Sequence, residues 1–390
     1  MPPINAVETI VPEATAWRRH LHAHPELMYD VHETARFVAD KLRSFGCDEV
    51  VEGIGRTGVV GIIRGARGDG GPGRTIGLRA DMDALPITET TGAEHASTVP
   101  GRMHACGHDG HTAMLLGAAR HLCDTRNFAG SVAVIFQPAE EGGAGGLAMV
   151  RDGMMERFGI EEVYGMHNMP GLPIGSFAIR PGPIMAATDE FTVHVRGRGS
   201  HAAQPHRSVD PIVVGAQIVT ALQTIASRNA DPIGSLVLTV TKFQAGTAYN
   251  VIPETALIAG TFRTLDEGVR EMAGRRLREV CEGVGAALGA TVEVQHHRNY
   301  PVTVNHPDET GHAVGAAREV AGEGRVEVST PPIMGGEDFS YMLEARPGAF
   351  IFVGNGDTAT LHHPDYDFSD EAIAHGTSYW VRLAERRLAA

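Results

Sequence analysis

The sequence predicts an α/β protein in which a mixed, mostly parallel sheet flanked by helices is interrupted by an inserted α+β domain. Short apolar segments alternate with amphipathic segments over residues 58–166, which is typical of parallel strands joined by helices. Near residue 187 the pattern changes to half-buried strands and two long helices, and the first pattern returns beyond residue 300. We therefore expect one domain from residues 1–187 and 301–390, and an inserted domain over residues 188–300.

The periodicity of apolar residues places the elements of the first domain in order. The chain up to about residue 45 is expected to be helical, and its segment ETARFVADKLRSFG ends at Gly46, a residue that commonly stops helices. Strands are expected at 58–65, 75–80, 131–136, 162–166 and 349–354. Further helices are expected at 111–123, 145–155, 308–320 and the C-terminus.

The inserted domain has its own series of elements. Strands are expected at 190–197, 235–243, 255–264 and 291–297, with helices at 209–228 and 266–288. The order strand, helix, strand, strand, helix, strand is typical of a ferredoxin-like domain.

Composition and charge exclude several classes of function. The net charge of −14 argues against nucleic acid or an anionic membrane surface as a partner, because both require a basic face. No apolar stretch approaches the roughly 20 residues that span a bilayer. The first 20 residues lack a basic start followed by an apolar run, so no signal peptide is expected. Four scattered cysteines do not suggest a disulfide framework, and we expect a cytoplasmic protein with reduced thiols.

Acidic, histidine and cysteine residues follow the predicted strands. They are Asp81 and Asp83 after the strand at 75–80, Glu140 and Glu141 after 131–136, His167 after 162–166, and His362 after 349–354. The segment HACGHDGHT (104–112) adds Cys106 and His108 at the start of a helix. Since the carboxyl ends of parallel strands form the usual ligand-binding edge of such sheets, these side chains are expected to meet there.

Each of these residues also has an ordinary interpretation. Cys106 could be a small buried residue, Asp81 and Asp83 could cap a turn, and His167 could be a hydrogen-bonded core histidine. Glu140 and Glu141 could be a solvated pair. Their shared position after strands favours a common site over this set of separate explanations.

The residue types fit a site for two metal ions. Two neighbouring cations need an anion between them, and the Cys106 thiolate is suited to that position. The imidazoles of His108, His167 and His362 and one carboxylate would complete the ligands, a set that favours zinc, nickel, cobalt or manganese over magnesium or calcium. The pair Glu140–Glu141 can supply one ligand and one general base. Asp83 is expected to orient a ligand histidine through its other ring nitrogen.

Ten segments spread over nearly the whole chain form a recognisable series. They are RRHLHAHPEL (18–27), GLRADMDALP (77–86), HACGHDGHT (104–112), FQPAEEG (136–142), MHNMP (166–170), GRGSHAAQPH (197–206), YNVIPE (249–254), GTFRT (260–264), GGEDFS (335–340) and LHHPDYDF (361–368). Together they resemble the aminoacylase, hippurate hydrolase and auxin-conjugate hydrolase branch of the dinuclear metallopeptidases with a lid domain. The resemblance implies a zinc-peptidase-like catalytic domain and a lid domain that also mediates dimerisation.

The resemblance also implies roles for individual residues. The implied metal ligands are Cys106, His108, Glu141, His167 and His362, with Cys106 bridging two divalent ions. Glu140 is implied as the general base and acid, and His201 as the group that stabilises the oxyanion. In relatives a lid histidine can come from the partner subunit, so a homodimer or higher oligomer is expected. Asn250 and Arg263 are candidates for substrate contacts; Arg263 would bind a free carboxylate, or else is an ordinary strand residue.

The chain departs from the wider superfamily at two positions. Many members have His-x-Asp where this chain has Asp81-Met82-Asp83, and an aspartate where it has Cys106. His108 takes the place of the lost ligand, as in the branch named above. This difference favours that branch over the aminopeptidases and succinyl-diaminopimelate hydrolases, but leaves the metal open among manganese, zinc, cobalt and nickel. It also leaves Asp81 without a role.

The expected function is metal-dependent hydrolysis of the amide bond of N-acyl-L-amino acids, such as N-acetyl amino acids or hippurate, to a carboxylic acid and a free amino acid. One alternative is a metallo-dipeptidase or carboxypeptidase, which uses the same chemistry on another acyl group. A second alternative is a catalytically silent, metal-dependent protein that binds small molecules. Glu140 argues against a silent protein, because pure binding does not need a base.

Overall fold

The computed structural model describes residues 5–67 and 73–389 of the chain. It divides into two compact units. The first comprises Met1–Ile184, Val304–Pro331 and Asp338–Ala390, and the second comprises Met185–Thr303 and Pro332–Glu337. Residues 1–4, which the expected N-terminal helical region includes, lie outside the described residues.

Helices and strands alternate along much of the chain. The helices are α1 Asn5–Glu8, α2 Val11–Ala23, α3 His32–Phe45, α4 His108–Thr125, α5 Gly145–Arg151, α6 Met154–Arg157, α7 Pro211–Thr224, α8 Glu267–Ala287, α9 Pro307–Ala321, α10 Ser340–Ala345 and α11 Ala372–Arg387. The strands are β1 Glu49–Ile54, β2 Gly58–Arg64, β3 Thr75–Asp81, β4 Ser131–Gln137, β5 Ile160–Met169, β6 Phe177–Ala178, β7 Gly182–Met185, β8 Ala187–Arg196, β9 Ser200–His201, β10 Leu236–Ala245, β11 Val251–Ile252, β12 Thr255–Thr264, β13 Thr291–Arg298, β14 Thr303–Asn305, β15 Val326–Glu327 and β16 Gly348–Gly354.

The main sheet of the first unit has parallel strands at its centre. Its strand order is β1-β2-β4-β3-β5-β16-β6-β15. β3 is parallel to β4 and β5, and β16 is parallel to β5, whereas β1–β2, β2–β4 and β6–β16 are antiparallel pairs. This confirms the predicted mixed, mostly parallel sheet. The carboxyl ends of β4, β3, β5 and β16 therefore lie along one edge.

Helices cover this sheet with apolar faces. In α3 the buried residues Ala35, Val38, Ala39 and Leu42 recur at helical spacing and belong to the main core. The helix ends at Gly46, whose φ of 82° is a left-handed conformation that glycine adopts without strain. In the described part of the chain, no helix is both long enough and apolar enough to cross a membrane.

Two expectations for local structure were wrong in detail, and one edge strand was missed. The N-terminal region is not continuously helical, because a non-helical segment that includes Pro25 separates α2 from α3. The helix expected over 145–155 is divided into α5 and α6 at Gly153, which has a φ of 76°. Strand β1 was not expected, because EVVEGI is partly exposed and contains charges and a glycine.

The second unit has the predicted ferredoxin-like arrangement. Its four-stranded sheet has the order β10-β12-β8-β13 with antiparallel neighbours. In β8, the buried residues Phe191, Val193 and Val195 alternate with more exposed ones, and they share a core with residues of α7 and α8. Asp210 and Asp266 cap α7 and α8 by accepting backbone hydrogen bonds at 2.9 Å each.

A buried ion-pair network lies in this second unit. Asp189 accepts a hydrogen bond from Arg270 Nε at 2.9 Å and forms a second hydrogen bond with His296 Nε2 at 2.8 Å. The side chains of Asp189 and Arg270 are both nearly inaccessible to solvent. Burial raises the pKa of Asp189, but the hydrogen bonds from His296 and Arg270 outweigh it and bring the pKa below its usual range. The charged form of Asp189 therefore stabilises the folded unit.

We expect Asp189→Asn to lower the free energy of unfolding by about 3 kcal/mol at neutral pH, because Arg270 would keep a buried charge without its partner. A group whose pKa falls on folding contributes stability above its unfolded pKa, which is about 3.9 for aspartate, and loses it as the pH drops through the folded pKa. The difference between wild type and variant in urea unfolding should therefore shrink below about pH 4. Glu190→Gln, at the exposed neighbouring position, is the control. A constant difference from pH 7 to pH 3 would contradict this account.

Candidate metal centre

The proposed ligands come from segments that end at the same edge of the main sheet. Glu141 follows β4, His167 lies near the end of β5, and His362 lies in the loop after β16. Cys106 and His108 lie at the start of α4. The backbone N–H of His362 donates to the carbonyl of Ala105 at 2.8 Å, which joins the loop after β16 to the segment that carries Cys106.

Cys106 belongs to two groups of possible ligands. Cys106, His108 and His167 each offer one ligand atom, and these atoms lie within 4.8 Å of one another. Cys106, Glu141 and His362 form a second group by the same measure. The Cys106 Sγ lies 3.4 Å from His167 Nε2, and the His362 Nε2 lies 3.3 Å from Glu141 Oε1. Cys106 is thus a member of both groups of possible ligands, as its predicted bridging role requires.

Hydrogen bonds fix the ring protons of two of these histidines. His108 Nδ1 lies 2.7 Å from the backbone oxygen of Asp83, and His167 Nδ1 lies 2.7 Å from that of Asn168. A carbonyl only accepts, so each Nδ1 carries the proton and, in the neutral ring, Nε2 keeps its lone pair. His108 Nε2 is buried without a hydrogen-bond partner. Such an atom is costly unless it is satisfied, and coordination of a metal ion would satisfy it.

Asp83 holds the two glutamates in place through their backbone. Its carboxylate accepts hydrogen bonds from Glu140 N at 2.9 Å and from Glu141 N at 3.1 Å. Ala139 precedes this turn with a left-handed φ of 53°. Glu140, Glu141 and His108 form one group of possible metal ligands. Glu141 also belongs to the group that contains Cys106 and His362. Asp83 thus contacts His108 through its main-chain oxygen, since its carboxylate is 3.6 Å from the ring nitrogen.

The charges of the centre favour a cation. Burial alone would lower the pKa of His108, but the carboxylates of Asp81 and Asp83 raise it to about 10. Burial and the nearby Glu141 and Glu140 raise the pKa of the Cys106 thiol. Neighbouring carboxylates contribute to both shifts, and a divalent cation would offset their negative charge. The donor set of sulfur, imidazole and carboxylate therefore fits the metal ions that the sequence implies.

A chain of buried hydrogen bonds lies behind the centre. Arg79 Nη1 and His111 Nδ1 each lie 2.6 Å from the Asp81 carboxylate. The backbone N–H of Asn168 donates to His111 Nε2 at 2.9 Å, and Asn168 Nδ2 donates to the carbonyl of Cys106 at 2.7 Å. These contacts give Asp81 the role that the sequence left open: it anchors His111, which in turn positions Asn168 and the Cys106 backbone. His111 was missed although it lies three residues after His108, a spacing that places both on one helix face.

The other predicted site residues lie in the second unit. His201 in β9 pairs with Val251 in β11, and the backbone N–H of Ala202 donates to the carbonyl of Asn250 at 3.0 Å, so His201 and Asn250 are close neighbours. Arg263 lies in β12, where its guanidinium donates to the Phe262 carbonyl at 3.2 Å and contacts Thr261.

Comparison with known proteins reveals extensive similarity. The model of peptidase family M20/M25/M40 matches residues 77–386. A hippurate hydrolase from Campylobacter jejuni is 40% identical over 371 residues, which cover 95% of this chain and 95% of that protein. An N-acetyl-L-cysteine deacetylase from Bacillus subtilis is 41% identical over 388 residues, 99% of this chain and 90% of that protein. Among solved structures, the Bacillus subtilis YXEP protein, a dinuclear metal binding peptidase from the M20 family, aligns with a TM-score of 0.85 at 35% identity over 98% of this chain and 99% of that one.

We expect Cys106→Ala to weaken the binding of at least one metal ion by more than about tenfold, since even the loss of a residue that only orients a ligand costs that much. Metal content after gel filtration, measured by mass spectrometry, checks this, with circular dichroism as a test of folding. Cys281→Ala, at a buried cysteine in α8, is the matched control. Unchanged metal content in the Cys106 variant would show that this cysteine is only a core residue.

Proposed function

The chain belongs to peptidase family M20/M25/M40, and from this membership we propose that it hydrolyses the amide bond of N-acyl-L-amino acids with the help of two divalent metal ions. The observation that carries the proposal is the position of Cys106 in two groups of ligands, with Glu140 beside them. Relatives named for hydrolysis of hippurate and deacetylation of N-acetyl-L-cysteine support this substrate class. The preferred acyl group and amino acid depend on the shape of the substrate pocket.

In the proposed centre, five side chains hold the metal ions: Cys106, His108, Glu141, His167 and His362. Cys106 is shared between the two groups of ligands. When bound, such ions polarise the acyl carbonyl and make water acidic enough to lose a proton near neutral pH. Manganese, zinc, cobalt and nickel all suit this mixture of sulfur, nitrogen and oxygen.

Glu140 is the proposed general base. Glu140 is buried, and its backbone N–H donates a hydrogen bond to the Asp83 carboxylate at 2.9 Å. Its carboxylate lies within 4.8 Å of possible ligand atoms of His108 and Glu141. From this position Glu140 takes a proton from the attacking water and later passes it to the leaving amide nitrogen. Asp83 acts as a positioning residue, since it fixes the backbone of both glutamates.

His201 is the proposed donor to the oxyanion of the tetrahedral intermediate. Its Nδ1 accepts a hydrogen bond from the backbone N–H of Ala203 at 3.0 Å. The neutral ring must therefore carry its proton on Nε2, and His201 itself is exposed. An N–H that is fixed in this way is the kind of donor that stabilises negative charge on oxygen during acyl transfer.

Arg263 and Asn250 are the proposed contacts to the rest of the substrate. Burial lowers the pKa of Arg263, because the charges of Glu190 and Asp189 compensate it only in part. A half-buried guanidinium of this kind gains from binding a carboxylate, and an N-acyl amino acid supplies one. The positive charge of Arg263 would attract an anionic substrate to a protein whose net charge is −14.

We further propose that the protein is a cytoplasmic homodimer. The strand β10 is an edge of the sheet in the second unit, and the exposed apolar side chains of this unit include Ile212, Val213, Val237, Phe243, Tyr249 and Val251. A long apolar edge strand favours pairing with another chain. The edge and these side chains together support a second copy as the partner.

We expect Glu140→Gln to lower kcat by about a thousandfold while the protein keeps its metal, because the amide cannot take the proton from water. Glu141→Gln should instead lose metal, which makes it the informative comparison. Turnover of both variants is measured on N-acetyl amino acids, hippurate and dipeptides. The metal content of each variant is measured separately. Wild-type rates in the Glu140 variant would contradict its assignment.

The same assay separates the proposed function from its alternatives. Faster turnover of dipeptides than of N-acyl amino acids would indicate a peptidase. No turnover on any substrate, after metal is removed and manganese, zinc, cobalt or nickel is restored in turn, would indicate a protein that only binds.

We expect Val213→Glu and Val237→Glu to shift the protein from dimer to monomer, because a charge at an apolar interface must be desolvated. Sedimentation equilibrium checks this against the chain mass of 41.5 kDa. Val328→Glu is the control, since this valine is exposed to a similar degree in the first unit. A wild-type protein that sediments as a monomer would overturn the dimer.

A further inference from the structure

Two cysteines from distant parts of the chain meet in the first unit. Cys47 follows the left-handed Gly46 at the end of α3, and Cys123 lies in the last turn of α4. Their sulfur atoms are 3.5 Å apart although the residues are 76 positions apart in the chain. A disulfide bond requires a sulfur separation of about 2.05 Å. The two side chains must therefore rotate, with a small adjustment of the backbone, before the bond can form.

The surroundings of this pair suit thiol chemistry. Cys47 is partly exposed, which allows a small reagent to reach it, while Cys123 is buried beside the main core. The guanidinium of Arg126 is fixed next to them by Asp48 and by the carbonyl of Gly46, at 2.7 and 2.8 Å. The hydrogen bond between the two thiols raises the pKa of Cys47 and lowers that of Cys123; burial opposes the second shift, and Arg126 adds to it. Thiol–disulfide exchange needs a thiolate, and a nearby cation favours one.

The other two cysteines lie in different parts of the structure. Cys106 belongs to the metal centre, and Cys281 is enclosed in the core of the second unit. Among the described residues, the contact between Cys47 and Cys123 is the sulfur pair that the fold brings together. It lies outside the proposed catalytic machinery.

We propose that Cys47 and Cys123 form a reversible disulfide bond when the protein meets a low-molecular-weight disulfide. This bond ties the junction of α3 and β1 to the last turn of α4, the helix that begins with His108. Closing so large a loop reduces the freedom of the unfolded chain and stabilises the folded protein. The sequence-based expectation of reduced thiols then holds only in the absence of such an oxidant.

The reaction balances without any further reagent. A thiolate of the pair attacks one sulfur of the small disulfide, forms a mixed disulfide and expels one small thiolate. The second cysteine gives its proton to solvent and attacks the protein sulfur of the mixed disulfide, which expels the other small thiolate. The protein loses two electrons and two protons, and the small disulfide gains them as two thiols.

The test incubates the metal-loaded protein in graded ratios of oxidised to reduced glutathione. Free thiols are then blocked with iodoacetamide, and the protein is digested with trypsin. Cys47 lies in the fragment 44–56 and Cys123 in the fragment 121–126, while Cys106 and Cys281 lie in other fragments. We expect a cross-linked pair of these fragments, lighter by two hydrogen atoms than their sum, that increases with the ratio and disappears on reduction.

A stability measurement accompanies the mass spectrum. We expect oxidation to raise the melting temperature by roughly 5 °C, the shift that closing a loop of this length gives in a protein of this size. Cys47→Ser should abolish both the cross-link and the shift, and Cys281→Ser should keep both. The proposal is overturned if wild-type Cys47 and Cys123 stay fully alkylated at every ratio, or if the product is a stable mixed disulfide with glutathione.

Discussion

The hydrogen bonds of Asp83 are the interaction on which the proposed centre depends. Its main-chain oxygen holds His108 at 2.7 Å, and its carboxylate holds the backbone of Glu140 and Glu141 at 2.9 and 3.1 Å. One residue just after β3 thus fixes a proposed ligand on α4 and the turn after β4. The arrangement requires β3 and β4 to be parallel neighbours, because only then do their carboxyl ends meet.

Asp81 shows how a carboxylate can lie beside such a centre without belonging to the groups that share Cys106. Its charge is matched within the protein by Arg79 and His111, each 2.6 Å away, and burial raises the pKa of Asp81 less than these neighbours and His108 lower it. Glu140 and Glu141 add negative charge near His108 and Cys106. Asp81 therefore acts on His108 directly, by raising its pKa, and on Cys106 through His111 and the hydrogen bonds that Asn168 makes.

The sequence predicted the fold well where residue patterns reflect burial, and less well where backbone conformation decides. Buried strands such as β4 and β16 were evident from their apolar runs, whereas the exposed edge strand β1 was not. The proposed metal ligands Glu141, His167 and His362 were recognisable from their positions after strands, and Cys106 and His108 from the start of a helix. The hydrogen bonds of His111 were not, because they depend on the Asn168 backbone, to which no residue pattern points. The left-handed Ala139, which shapes the turn that carries both glutamates, gives no sequence pattern either.

The two units divide the proposed chemistry between them. All five proposed ligands, together with Asp83 and Glu140, lie in the first unit, whereas His201, Asn250 and Arg263 lie in the second. Each unit has its own apolar core, and the second also has the buried network of Asp189. The hydrogen bond that fixes the His201 ring comes from Ala203, in its own unit. The residues proposed for metal binding and those proposed for substrate contacts are therefore positioned by hydrogen bonds that lie within their own units.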